Sequence, residues 1–213
     1  MQLNYMYTDI KNKVFEERNM EILARNFDFD LILLGDSITE GFDLNRYGYT
    51  NKTYLNSGIG GDRIEYMHKR LDRDVLQFSP REVLFMGGIN DIRAWYAEGN
   101  DLSNIEEITT HIIKYTSLIV NELKENGIDV KICTITKNYE RDINFDYINH
   151  IIDHINIAIK NLAIELDVIL IDYNEVLTNK YGYLDLSLSY DGLHPNEFGY
   201  IEMVKQIRSI LIK

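Results

Sequence analysis

One cysteine, Cys133, in 213 residues leaves no partner for an intramolecular disulfide, so burial and hydrogen bonding must hold the fold. Prolines are nearly as scarce, only Pro80 and Pro195, and no Pro/Gly/Ser-rich linker, low-complexity tract or internal repeat divides the chain. Basic residues are in deficit, 22 against 34 acidic, for a formal net charge of −12. The mean field therefore repels polyanions, which argues against nucleic acid and anionic membranes as partners. No apolar run approaches the roughly 20 residues that cross a bilayer. The N-terminal MQLNYMYTDIKNK also lacks the apolar core of a secretory signal, so a cytoplasmic location is expected.

What remains is an ordinary globular composition, 45% hydrophobic and 26% charged, at a length that one domain over residues 1–213 can fill. Five apolar, β-branched runs of strand length recur: Asp30 to Leu34, Thr53 to Asn56, Glu82 to Met86, Val130 to Ile135 and Val168 to Ile171. Cys133, inside the fourth, reads as a small buried strand residue. Between the runs lie segments of helical spacing. The clearest carries Ile105, Ile108, Ile112, Ile119 and Leu123, with Ser103 and Glu106 as a capping box at its start and Gly127 as its stop. A second helix is predicted from about Asp146 to Leu166. A third follows Pro195, placing Phe198, Ile201, Val204, Ile207 and Leu211 toward the sheet. Ile10 to Asn26 reads as a helix within an N-terminal extension, residues 1–28, packed on the domain.

Strands that alternate with helices and are apolar on both sides imply a parallel sheet covered on both faces. In such sheets ligands bind at the carboxyl ends of the strands. DLILL runs into Gly35-Asp36-Ser37-Ile38-Thr39-Glu40-Gly41, putting Ser37 where a helix can begin and backbone N–H groups lie unpaired. Gly-Asp-Ser is equally a common turn and helix cap. TYLNS gives way to Gly58-Ile59-Gly60-Gly61-Asp62, glycines that could serve a turn or leave N–H groups open to a substrate oxygen. EVLFM ends in Gly87-Gly88-Ile89-Asn90-Asp91, and Asn90 can donate hydrogen bonds without charge. Asp191-Gly192-Leu193-His194-Pro195 offers an imidazole able to take a hydroxyl proton and a carboxylate three residues earlier able to fix its tautomer.

Four separate loops thus present the residue types that acyl transfer needs. GDSITEG at 35–41, GIGGD at 58–62, GIND at 88–91 and DGLHP at 191–195 resemble, in order and spacing, the four blocks of the SGNH hydrolase (GDSL-like lipase/acylhydrolase) family. The resemblance spans residues 30–211. It implies a three-layer α/β/α, flavodoxin-like fold whose five-stranded parallel sheet has the order 2-1-3-4-5. It further implies Ser37 as nucleophile, Asp191 and His194 as its triad partners, and the Ser37 N–H, Gly61 and Asn90 as oxyanion-hole donors. Many relatives carry small hydroxyl residues where this chain has Arg63-Ile64, and a proline where it reads Thr136-Lys137-Asn138. Substrate preference is therefore not carried over with the triad.

Asp36 and Asp62, each after a glycine, could anchor loop N–H groups; as a pair of acids for glycoside hydrolysis they would need a defined separation. Asp36, Arg63, Arg93, Trp95 and Tyr96 are candidates to contact substrate, and each is also an ordinary packing or surface residue. His150 and His154 fall away from the apolar stripe of their helix and read as solvated, as do His68 and His111. No metal and no cofactor is called for. The expected activity is hydrolysis of a small carboxylic ester, an acylated carbohydrate or a short-chain acyl ester. The competing reading is a phosphate- or nucleotide-binding module that uses the Gly35–Gly41 loop without hydrolysis.

Overall fold

The computed structural model describes residues 2–48, 52–141 and 144–211. Its strands are β1 (Leu31–Gly35), β2 (Tyr54–Gly58), β3 (Glu82–Met86), β4 (Asp129–Cys133) and β5 (Ile169–Ile171), all parallel, in the order 2-1-3-4-5. Around them lie α1 (Gln2–Ala24), α2 (Ser37–Glu40), α3 (Ile64–Lys69), α4 (Leu71–Asp74), α5 (Ile89–Ala97), α6 (Ile105–Glu125), α7 (Phe145–Glu165), α8 (Tyr173–Leu177) and α9 (Glu197–Leu211). This is the α/β sandwich and strand order that the sequence blocks imply.

Because successive side chains of a strand point to opposite faces, Ile32 and Leu34 of β1 enter one core and Leu31 and Leu33 the other. The first core meets Ile64 and Met67 of α3, Trp95 of α5, Ile112 of α6 and Ile151 of α7. The second meets Tyr173 and Leu177 of α8 and Met203 and Val204 of α9. Both faces being covered is the reason the strands read as unbroken apolar runs. Each fully buried leucine or isoleucine contributes about 1.5–3 kcal/mol relative to an exposed one. The sheet is therefore the most strongly fixed part of the molecule.

Two helix starts depart from the predicted pattern. Ser103 does not cap α6: it lies in a 3-10 turn, Leu102–Asn104, whose own cap is Asp101, and α6 begins after Asn104. The aspartate two residues upstream competes successfully for the Ser103 N–H at 2.8 Å. Pro195 does not open α9; it pairs with Ser189 in an isolated bridge, and Asn196 Oδ1 instead accepts from Phe198 N (2.9 Å) and Gly199 N (3.1 Å). That start rotates the buried stripe of α9 onto Tyr200, Met203, Val204 and Ile207, and leaves Phe198 65% exposed. Leu211 lies outside the residues whose side chains are described.

The N-terminal helix α1 begins earlier than its apolar spacing predicts, and it docks through polar groups. Asn19 is buried and donates to Asp74 Oδ1 (2.7 Å) and Arg73 O (2.9 Å), while Arg18 Nη1 donates to Asn56 O (2.7 Å). Among the described residues no helix is long and apolar enough to cross a membrane.

Register decides where the chemistry can occur. Gly35 pairs with Gly58 on one side and Met86 on the other. The three strands therefore end level, and the loops carrying Ser37, Gly61 and Asn90 leave the sheet at one edge.

Candidate active site

Ser37 is the first residue of α2, directly beyond β1. The turn is fixed from both sides: Asp36 Oδ1 accepts from Ile38 N at 3.0 Å, and Tyr200 Oη donates to Ile38 O at 2.9 Å. Burial of Asp36 pushes its carboxyl pKa up to about 7; the Ile38 N–H pulls the other way, and the nearby Asp62 adds to the rise. Asp36 is thus part of the turn that presents Ser37, as anticipated for a loop anchor, and its 1% exposure leaves little of it for a substrate.

Ser37 Oγ lies 2.9 Å from His194 Nε2, and His194 Nδ1 lies 2.7 Å from Asp191 Oδ2. The other Asp191 oxygen accepts from the backbone N–H groups of Leu193 (2.9 Å) and His194 (2.8 Å), so the carboxylate is aimed by its own loop. Partial burial works to raise the Asp191 pKa, but the bonds from the His194 ring and these two N–H groups outweigh it. The group is held below its ordinary value, ionised and able to orient the imidazole.

The loop has supports that the sequence blocks do not contain. Ser189 Oγ accepts from Gly192 N (2.9 Å) and donates to His194 O (2.8 Å), and Tyr139 N donates to Gly192 O (2.7 Å). Gly192 has φ +91°, and a Cβ there would lie 2.6 Å from the Tyr139 backbone carbon and oxygen. Only glycine meets both conditions. Neither Ser189 nor Tyr139 stands out in sequence, because a serine among Leu-Ser-Leu-Ser and a tyrosine among polar residues carry no periodic signal.

Across from Ser37, the second and third blocks are tied together. Asn90 Nδ2 donates one amide hydrogen to Asp62 O at 3.0 Å, which leaves the other for a ligand, and Asp91 Oδ2 accepts from Ile64 N at 3.0 Å. Gly61 has φ +80°, and a Cβ added there would meet nothing within 4 Å, so its glycine serves the backbone bend and not a lack of room. Gly60 N is held by Glu40 Oε2 at 2.9 Å, and the other oxygen of Glu40 pairs with Lys11 of α1.

The remaining candidates divide. Trp95 is a core residue, 6% exposed, because α5 turns positions 89, 92 and 95 inward at helical spacing. Little of it is left for a substrate. Arg93 is engaged in an ion pair with Glu140, which also accepts from Asn138 Nδ2 at 2.6 Å, forming a strut beside the Tyr139–Gly192 contact. Arg63 Nη2 reaches Tyr66 Oη at 3.3 Å, and the Tyr96 ring lies 5.3 Å from that of Tyr147. His154 faces Glu106 at 3.1 Å and His68 faces Glu122 at 3.1 Å, each pairing its own helix with α6. Among the described residues no three ligand-type side chains cluster as a metal site would require.

With this geometry in view, comparison with known proteins identifies the scaffold. Residues 33–200 match the sequence profile of the GDSL-like Lipase/Acylhydrolase family. The chain belongs to that family. As an acylhydrolase of this family it is a carboxylic ester hydrolase. It is 26% identical over 156 residues to an acetylxylan esterase of Geobacillus stearothermophilus, covering 71% of this chain and 68% of that one. It is also 26% identical over 212 residues to an N-acylneuraminate cytidylyltransferase of Escherichia coli, covering 97% of this chain but only 45% of that protein's length. In three dimensions it superposes on a GDSL-like lipase from Bacteroides thetaiotaomicron with a TM-score of 0.73 at 21% identity, over 93% of this chain and 98% of that chain.

Proposed function

We propose that this acylhydrolase cleaves small esters, an acetylated carbohydrate or a short-chain acyl ester, through an acyl-enzyme on Ser37. The observation that carries the reading is the unbroken Ser37–His194–Asp191 relay, with contacts of 2.9 and 2.7 Å. His194 accepts the Ser37 proton as Oγ forms a bond to the ester carbon, and Asp191 stabilises the imidazolium without taking the proton. The charge that appears on the carbonyl oxygen is met by the Ser37 N–H, the Gly61 N–H and the second amide hydrogen of Asn90. The first of these belongs to the first residue of a helix, where no intrahelical acceptor exists. The imidazolium then returns its proton to the leaving alcohol, and a water repeats the sequence to release the acid.

A sugar ester as substrate draws support from two directions. Both sequence relatives carry names that place a carbohydrate derivative in their chemistry, acetylxylan and N-acylneuraminate. In addition, the His194 and Asp191 side chains are 37% and 50% exposed, leaving room for a bulky polar alcohol on that side of the ester. A phosphate-binding module would leave the relay without a use. The test is a panel of nitrophenyl esters of increasing acyl length run beside peracetylated xylose and O-acetylated sialic acid, with Ser37→Ala as the blank. Acetyl and other short esters are expected to turn over fastest. Equal rates for wild type and Ser37→Ala would remove the proposal.

A further inference from the structure

Arg70 lies between Lys69 and Leu71 in the charged stretch His68-Lys-Arg-Leu-Asp-Arg-Asp74. In the fold its side chain is only 5% exposed, and among the described residues it is the only buried arginine. Its guanidinium occupies the space under the strand ends. Nε donates to Asp62 Oδ2 (2.7 Å), Nη1 to Ser57 O (2.8 Å) and Asp74 Oδ2 (2.9 Å), and Nη2 to Gly35 O (3.0 Å). One planar group thus joins the end of the nucleophile strand, the end of β2 and the loop that carries Gly61.

We infer that Arg70 is a positioning residue for the oxyanion hole: through Asp62 it sets the loop that presents the Gly61 N–H and the carbonyl that holds Asn90. The inference rests on the proposed role of that loop in ester hydrolysis. Three features support it. The contact chain is continuous, from Arg70 Nε to the Asp62 carboxylate, and from the Asp62 carbonyl to Asn90 Nδ2 at 3.0 Å. Gly35, whose carbonyl takes Nη2, lies two residues before Ser37, so the same rigid fork references the donors to the nucleophile. Finally, the buried acidic side chains Asp62, Asp74 and Asp91 crowd the region in which negative charge must develop during reaction. A permanently charged guanidinium among them offsets that field, in a setting where it is little screened. The far side of the hub is closed by α1, whose Asn19 holds the Asp74 Oδ1 not bound by Arg70. The N-terminal helix, outside the family-matched residues, thereby contributes to the same framework.

Lysine keeps the charge but not the fork, so Arg70→Lys separates position from charge. A misplacement of an ångström near the reacting centre costs on the order of 10²-fold. Arg70→Lys is therefore expected to lower kcat about 10- to 100-fold with KM within about twofold of wild type. It should weaken a boronic acid, whose tetrahedral serine adduct presents an oxyanion, in step with kcat. Combined with Asn90→Ala, its loss should be clearly less than multiplicative, because both act on one donor set. Folding is checked by circular dichroism; should Arg70→Lys not fold, Asp62→Ala, which cuts the same link and leaves the other Arg70 bonds in place, is judged by the same measures. A folded variant with kcat within about threefold of wild type overturns the inference. So does a loss that multiplies fully with Asn90→Ala and leaves the boronic acid affinity unchanged. Retained activity in Ser37→Ala would instead sink the ester-hydrolysis mechanism itself, and is measured alongside to keep the two failures apart.

Discussion

Ser37 follows a strand whose residues are all buried, between a capped turn and a buried arginine hub, whereas His194 and Asp191 sit on an irregular loop with side chains 37% and 50% exposed. The nucleophile side is fixed by the sheet: its loops are short, they leave strands in level register, and bonds to Asp62, Asp91 and Gly35 tie them to one another. The proton-transfer side is fixed by a handful of local bonds, from Ser189, Tyr139 and the Asp191 carboxylate to its own loop backbone. On the proposed mechanism, the parts that meet developing charge without moving are built into the core, and the part that exchanges protons and admits water is left at the surface.

The comparison is sharpened most by Ser37→Ala. That variant should lose activity on the order of 10⁴–10⁶-fold with an unchanged melting temperature, measured by single-turnover kinetics and calorimetry. Asn90→Ala comes next, with kcat down on the order of 10²–10³-fold, since it removes one donor from the rigid side. Recovery of most of that loss by a neighbouring group would show the donor side to be less fixed than argued. Gly192→Ala tests the looser side. A methyl at φ +91° and 2.6 Å from the Tyr139 backbone must displace the Asp191–His194 loop, and the expected cost is about 10–10²-fold in kcat with the sheet intact by circular dichroism.

The smallest effect concerns stability. The Asp36 pKa is raised by burial to about 7 in the folded state, so the native protein holds a proton that the unfolded chain releases near its ordinary value of 3.8. The stability this contributes is present at low pH and is lost as pH rises toward 7. Asparagine caps as well as aspartate and does not titrate. The melting temperature of Asp36→Asn relative to wild type should therefore climb between pH 4 and pH 8. A constant difference across that range would mean that the turn beneath Ser37 is more open to water than its burial indicates.

The fold is readable in sequence because a doubly covered parallel sheet writes itself as apolar runs separated by helical spacing, and the strand ends follow from those runs. Ser37, His194 and Asp191 are readable because each sits in a loop with a short, distinctive sequence neighbourhood. What stays hidden are the residues whose role depends on a three-dimensional neighbour. Arg70 carries no signal of its own in sequence, and only the turn from α3 to α4 brings it to the Gly35 carbonyl. Trp95 looks available for a substrate until the i, i+3 spacing of α5 turns it into the core. Phe198 looks buried when the stripe of α9 is counted from Pro195, and a start set by Asn196 moves that stripe onto Tyr200 and Met203.

The central claim, that an activated Ser37 is deprotonated by an Asp191-oriented imidazole, is tested most directly by labelling with a serine-directed fluorophosphonate followed by intact-mass and peptide mass spectrometry. The account predicts one equivalent of adduct on Ser37 in the wild type and almost none in His194→Ala. Labelling that is absent, lies on another residue, or proceeds at the wild-type rate without His194 would contradict it.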